Sequence, residues 1–247
     1  MSSLHRDLDE LKAAQMPSAR RRPAEPARVA TLSEVLGGRA ERHGRGTCWV
    51  VETDIGGYLK APFPSRERPG EGRCSSDALV LDIETGGFAG SPVFLIGFVA
   101  LAKRPLRTIQ LLARDYPEEE TILRAFSAYR DGLDAWVTFN GKAFDEPFLR
   151  DRATVNHVRL PAPREHIDLL HLARRAWAAQ LPNCRLTTLE EHILGRERHG
   201  DVPSRDVPDL FHHFIRTGNA GPLRPVLEHN RLDLITCVEL LGRLTEV

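Results

Sequence analysis

The stretch Pro92–Ala102, PVFLIGFVALA, limits the possible folds more than any other segment of this chain. It is apolar at both alternating sets of positions, and a strand with two apolar faces must be covered on both sides. It is too short to cross a bilayer, so residues 93–101 read as the central strand of a sheet. Similar runs flank it at 78–85 and 107–113, and three such strands in succession make an antiparallel meander. A helix follows at Pro117–Arg130, where PEEE places acidic residues in the first turn. Ala135–Phe139 (AWVTF) is a short buried strand, and Ala143–Arg152 is a helix. The remainder reads as mostly helical, over 168–179, 187–194, 206–216 and 222–245. The expected class is α/β: a mixed sheet, meander plus parallel strands, flanked by helices on both sides.

The chain has 247 residues, 41% hydrophobic and 28% charged, which suits one sizeable domain with an appendage. Lysine plus arginine equals aspartate plus glutamate at 34 each, so bulk charge offers no argument for nucleic acid or membrane as a partner. The four cysteines, Cys48, Cys74, Cys184 and Cys237, form no CxxC pair and fit a reducing cytoplasm better than a disulfide framework or a zinc site. With no apolar signal core at its start, the protein is expected to be soluble and cytoplasmic.

Three regions follow from composition. Residues 1–30 are a flexible basic tail, with ARRRP at Ala19–Pro23 and one short helix around Leu4–Leu11. Residues 31–76 form a small N-terminal segment and linker. There, TCWVVETDIGGYL suggests a hairpin turning at its Gly-Gly pair, and PFPSRERPGEGRCSS is the linker. GGRAERHGRG lacks the Gly-Lys-Ser/Thr ending of a phosphate loop and has no nucleotide role. Residues 77–247 are the main domain.

Within it, LVLDIETGGF (79–88) sets two acids in an aliphatic strand. Residues two apart share a strand face, so Asp82 and Glu84 project together while Leu81 and Ile83 face the other layer. Two like charges ~4 Å apart repel by up to ~4 kcal/mol at an effective dielectric near 20. Such a pair must protonate, find basic partners or bind a hard cation. A second acid, Asp145 in TFNGKAFDEPFLRDR, opens a helix just after a buried strand, where the helix dipole alone would also favour it. Asn140 and Lys142 flank it at a strand end of the kind that opens onto ligand sites. In LEHNRLDLITCVELL, His229 and Asp233 are four apart and share a helical face. They are either a helix-stabilising pair or a further metal carboxylate beside a general base.

Taken in order, the strand DIET, the loop-helix FNGKAFD and the late helix HNRLD resemble the DEDD 3′–5′ exonuclease superfamily, which has a ribonuclease H-like fold. The YprB-like branch is more similar still, through HIDLLHLAR (166–174), RLTTLEEHILG (185–195) and DVPSRDVPDLF (201–211). The resemblance covers roughly 77–245. It implies that Asp82, Glu84, Asp145 and Asp233 bind two divalent ions, Mg²⁺ or Mn²⁺, for phosphodiester hydrolysis at a single-stranded 3′ end of DNA or RNA. His229 would orient or deprotonate the attacking water. In histidine-type members the histidine lies one residue further from the last aspartate, and tyrosine-type members carry tyrosine at the spacing seen here. Base, substrate contact and filler therefore stay open for His229, and His212 and His213 read as surface residues.

Asn140, Lys142 and Arg185, with Arg205, are candidate phosphate contacts, and Phe144 and Phe88 are candidates to stack on a base or to pack in the core. Asp168 reads as a helix N-cap. An inactive nucleic-acid-binding adaptor on the same fold, and a scaffold with structural acids, are the alternatives to a nuclease.

Overall fold

A computed structural model describes residues 29–59 and 78–245. The tail helix, the Ala19–Pro23 arginines, the linker and Cys74 lie outside the described residues. Seven strands are present among the described residues: β1 (Arg39–His43), β2 (Gly46–Asp54), β3 (Ala78–Thr85), β4 (Val93–Ala100), β5 (Arg107–Leu112), β6 (Ala135–Thr138) and β7 (Glu165–Asp168). They form one sheet in the order β1-β2-β5-β4-β3-β6-β7. The meander β3-β4-β5 is antiparallel, and β6 and β7 continue parallel to β3. β4 is buried along its whole length at the middle of the sheet, as its two apolar faces require.

Helices cover both sides: α1 (Leu32–Leu36), α2 (Glu119–Tyr129), α3 (Asp145–Val155), α4 (Leu169–Trp177), α5 (Leu186–His192), α6 (Val207–Thr217) and α7 (Leu223–Thr245). Strand alternation sorts the core into two layers. Leu79, Leu81 and Ile83 join Phe94, Phe126 and Phe211 on one side, where Phe94 and Phe211 stack with centroids 3.9 Å apart. Ala78 and Val80 join Val99, Val137, Leu234, Ile235 and Val238 on the other. Each fully buried aliphatic or aromatic side chain contributes about 1.5–3 kcal/mol. The first turns of α7 (Leu223, Val226, Leu227) pack in the first layer and its later turns in the second, so this helix links the two cores.

Two local expectations change. The hairpin turns at Gly44-Arg45, between β1 and β2, and not at Gly56-Gly57. β1 is half-exposed and charged (RAERH), the composition of a protected sheet edge, so it lacks the apolar alternation that marks an interior strand. β2 pairs with β5 from Trp49↔Leu112 to Asp54↔Arg107, which makes the N-terminal segment the outer part of the main sheet. The second change is β7, four mostly polar residues with no period to read. It becomes a strand only by pairing with β6, Trp136↔His166 through Thr138↔Asp168.

Candidate active site

β3 delivers Asp82 and Glu84 to the layer shared with the later turns of α7, because Ala78 and Val80 on the same face pack there. The chain then leaves sharply at Gly86-Gly87. Gly87 has φ 96°, and a Cβ on it would lie 2.8 Å from Pro208 Cγ of α6, so only glycine lets the loop close against that helix. Phe88 follows, 69% exposed.

Asp82 is held by a polar chain running through the sheet. Asn230 Nδ2 donates to Asp82 Oδ2 at 2.7 Å. Gln110 Nε2, buried on β5, donates to Asn230 Oδ1 and to the Leu227 carbonyl, both at 2.8 Å. Gly97 on β4 makes room for this, since a Cβ there would stand 2.1 Å from Asn230 Oδ1. Gly97→Ala is expected to cost about 1–3 kcal/mol by overpacking and to push Asn230 off Asp82. A urea titration checks it, and an unchanged midpoint would mean that Asn230 is not confined by the missing Cβ. Asn230 and Gln110 were not among the candidates read from the sequence. Their one signal there is polarity, an amide in the apolar run RTIQLL and another beside His229.

The four acids come from three elements and converge electrostatically. Burial, then the charges of Asp233, Glu84 and Asp145, push the Asp82 carboxyl well up, and Asn230 offsets this only in part. Burial followed by Asp233, Asp145 and Asp201 does the same to Glu84. Among the described residues Glu84 has no hydrogen-bonding or cationic partner for its carboxylate. Asp145, the first residue of α3, is pushed up to about 7 by burial, although its own backbone N–H and that of Ile83 pull the other way. Burial raises Asp233, with Arg198 and His229 opposing.

Around Asp233 lies a second, paired group. Arg198, buried between α5 and α6, donates to both oxygens of Glu190 at 2.6 Å, to Asp201 Oδ2 at 2.9 Å and to Asp233 Oδ1. His229 is buried, with Nδ1 2.8 Å from Asp201 Oδ1 and Nε2 3.9 Å from Asp233 Oδ2. Arg198 and Asp201 were also missed, because charges in a loop such as GRERHGD read as solvated, and so was Glu190 in the helix LTTLEEH. His212 bonds Tyr116 and His213 bonds Arg216, and neither bond reaches the acids.

The remaining candidates sort by location. Asn140 stands at φ 65° where β6 ends, and its N–H and that of Lys142 donate to Asp168 at 2.9 and 3.2 Å. Asp168 also caps α4 through the Leu170 N–H, so the N-cap holds the Asn140–Lys142 loop as well. The Asn140 and Lys142 side chains are exposed, as is Phe144, which precedes Asp145 and leans on Phe148. Arg185 is exposed before α5, with its N–H on Asn183 Oδ1 at 2.9 Å. Arg205 is exposed and paired with Asp206 at 3.4 Å. Among the described residues, neither Arg185 nor Arg205 makes a hydrogen bond or ion pair with the acid cluster.

The donor set suits a hard divalent cation: carboxylate oxygens only, pushed up first by burial, with Glu84 unpartnered among the described residues. Among the described residues no three His, Cys, Asp or Glu side chains are already closed into a ligand group. No described helix is long and apolar enough to cross a membrane.

Comparison with known proteins identifies the fold and the family. The chain is 34% identical over 175 residues to the uncharacterized protein YprB of Bacillus subtilis (strain 168), covering 69% of this chain and 42% of YprB, so it spans less than half of that relative. In fold it is similar to a family B DNA polymerase from the hyperthermophilic archaeon Pyrobaculum calidifontis, at TM-score 0.56 and 17% identity over 68% of this chain and 24% of the polymerase. The model of the RNase H superfamily matches residues 79–245, which begin at the strand bearing Asp82 and Glu84 and end with α7; the chain belongs to that superfamily.

Proposed function

We propose that the protein is a metal-dependent nuclease that hydrolyses phosphodiester bonds of DNA or RNA from a single-stranded 3′ end, as a 3′–5′ exonuclease of the DEDD type. The observation that carries this reading is the quartet Asp82, Glu84, Asp145 and Asp233 in one nuclease fold, where burial pushes all four carboxyls up and the charges of Asp233 and Asp145 add to this at Asp82 and Glu84. These four side chains would hold two divalent ions, Mg²⁺ or Mn²⁺. Bound there, such ions supply charge stabilisation at the phosphate and a more acidic water. The chain's own groups do the rest. Asn230 keeps Asp82 in place, and His229 offers Nε2 as a proton acceptor for the attacking water. Asn140, Lys142 and Arg185 are assigned to phosphates, and exposed Phe88 and Phe144 to terminal bases. A non-catalytic adaptor would have little use for four acids that destabilise one another.

The test is a 5′-labelled single-stranded oligonucleotide, DNA and RNA in turn, incubated with Mg²⁺ or Mn²⁺. A ladder shortening one nucleotide at a time from the 3′ end is expected. Internal cuts without a ladder would make the protein an endonuclease, and no product in either metal would remove the nuclease reading. Phe144→Ala is expected to raise KM several-fold with kcat nearly unchanged, since one base–aromatic stack is worth about 1–3 kcal/mol. A drop confined to kcat would place Phe144 elsewhere than against a base.

A further inference from the structure

The nuclease reading leaves unexplained a buried arginine with three carboxylates on it. The Arg198 side chain is 6% exposed and spends its donors on Glu190, Asp201 and Asp233. An arginine that only compensated buried acids could do so with one partner. Among the described residues it is the single group hydrogen-bonded both to an acid of the quartet and to the partner of His229. We infer that Arg198 and Asp201 are a positioning pair, which holds His229 with Nδ1 protonated and Nε2 turned toward Asp233.

The geometry supports each step. Asp201 Oδ2 is tied to Arg198 Nη1 at 2.9 Å, and both Asp201 oxygens face His229 Nδ1, Oδ1 at 2.8 Å and Oδ2 at 3.0 Å. A carboxylate can only accept, so the hydrogen on that contact belongs to Nδ1, and a ring bearing only that proton carries its lone pair on Nε2. Nε2 then lies 3.9 Å from Asp233 Oδ2 and 3.3 Å from the Ser204 hydroxyl. The same guanidinium takes Asp233 Oδ1, so the acid and the imidazole are registered against one rigid, planar fork. Glu190, buried and also bonded by Thr236, anchors the fork from behind. This arrangement also bears on the histidine spacing. His229 lies four residues before Asp233 on one continuous helix, and the hydrogen-bonding partner of its Nδ1 comes from the 198–201 segment.

This inference rests on the nuclease reading for its catalytic meaning, but its central readout needs no substrate. In full-length protein labelled with ¹⁵N, long-range ¹H–¹⁵N spectra of the imidazole report which ring nitrogen carries the proton. The expected wild-type result is the Nδ1–H tautomer at His229. Asp201→Ala is expected to lose that preference and to lower kcat roughly 10–100-fold, the usual effect of removing a group that orients a functional histidine. KM should stay nearly unchanged, and the melting midpoint should stay within a few degrees of wild type. Asp201→Asn, which keeps an acceptor oxygen, should restore most of both signals. Arg198→Lys, read alongside for stability, should show the tautomer loss even where it remains folded. An Nε2–H tautomer in the wild type, or an Asp201→Ala protein with wild-type tautomer and kcat, would overturn the pair. An inactive wild type with the expected tautomers would remove the nuclease reading and leave the positioning intact.

Discussion

Asp82→Asn is expected to reduce metal-dependent hydrolysis of a labelled oligonucleotide by a factor on the order of 10³, as loss of a preorganised charge at a reacting phosphate does elsewhere. The same substitution should raise the melting midpoint of the metal-free protein. Asp82 is buried beside Asp233, Glu84 and Asp145, so in the absence of a cation its charge works against the fold. An asparagine of the same shape removes that charge and can still accept from Asn230 through its amide oxygen. Each kcal/mol of relief corresponds to roughly 2–4 °C in a chain of this size. The opposite signs of the two effects are the informative part, since a merely structural acid would lose stability when neutralised. Activity and a thermal melt on one preparation check both, and a mutant that melts lower while staying active would refute the assignment of Asp82.

The second large effect is on stability itself. The Asp145 carboxyl lies at about 7 in the fold against 3.8 ordinarily. Between those values the folded state keeps a proton that the unfolded chain has released, so stability falls as pH rises across the window and levels off above it. Glu84 and Asp82 are raised as well, which adds to the loss and extends it to higher pH. For Asp145 alone the change is on the order of a few kcal/mol. Metal-free protein is therefore expected to melt lower at pH 8 than at pH 5.5. Added Mn²⁺ should reverse this at pH 8, where the acids are ionised, and do little at pH 5.5. At a metal concentration 100 times Kd the gain is about 2.7 kcal/mol, or roughly 5–10 °C. A melt that ignores both pH and millimolar Mn²⁺ would show that the four acids do not act as one site.

The parts legible in the chain were those with a period or a paired motif. PVFLIGFVALA could only be a central strand, and β4 lies in the middle of the sheet. The parity of LVLDIET sent Asp82 and Glu84 to one face, and the two core layers follow that parity. The helices at 119–129, 145–155, 207–217 and 223–245 fell near their expected bounds because each carries an acidic first turn or a long apolar stripe. β1 and β7 did not, since an edge strand owes its state to a partner's hydrogen bonds and needs no pattern of its own.

The site divides along the same line. The residue types and their order determined that two carboxylates would share a strand face, one would open a helix and one would sit on a helix face beside His229, because strand alternation and helical spacing are local rules. Only the tertiary structure decided what stands around them. Asn230 and Gln110 reach Asp82 across two strands, over a glycine whose purpose is the space it leaves. Arg198 meets Glu190, Asp201 and Asp233 across separations of 8, 3 and 35 residues. No local rule links such positions, for a long-range ion pair leaves no periodic trace in the chain. It forms because folding withdraws the charges from water, and buried charges settle on whichever partner the packing brings within reach.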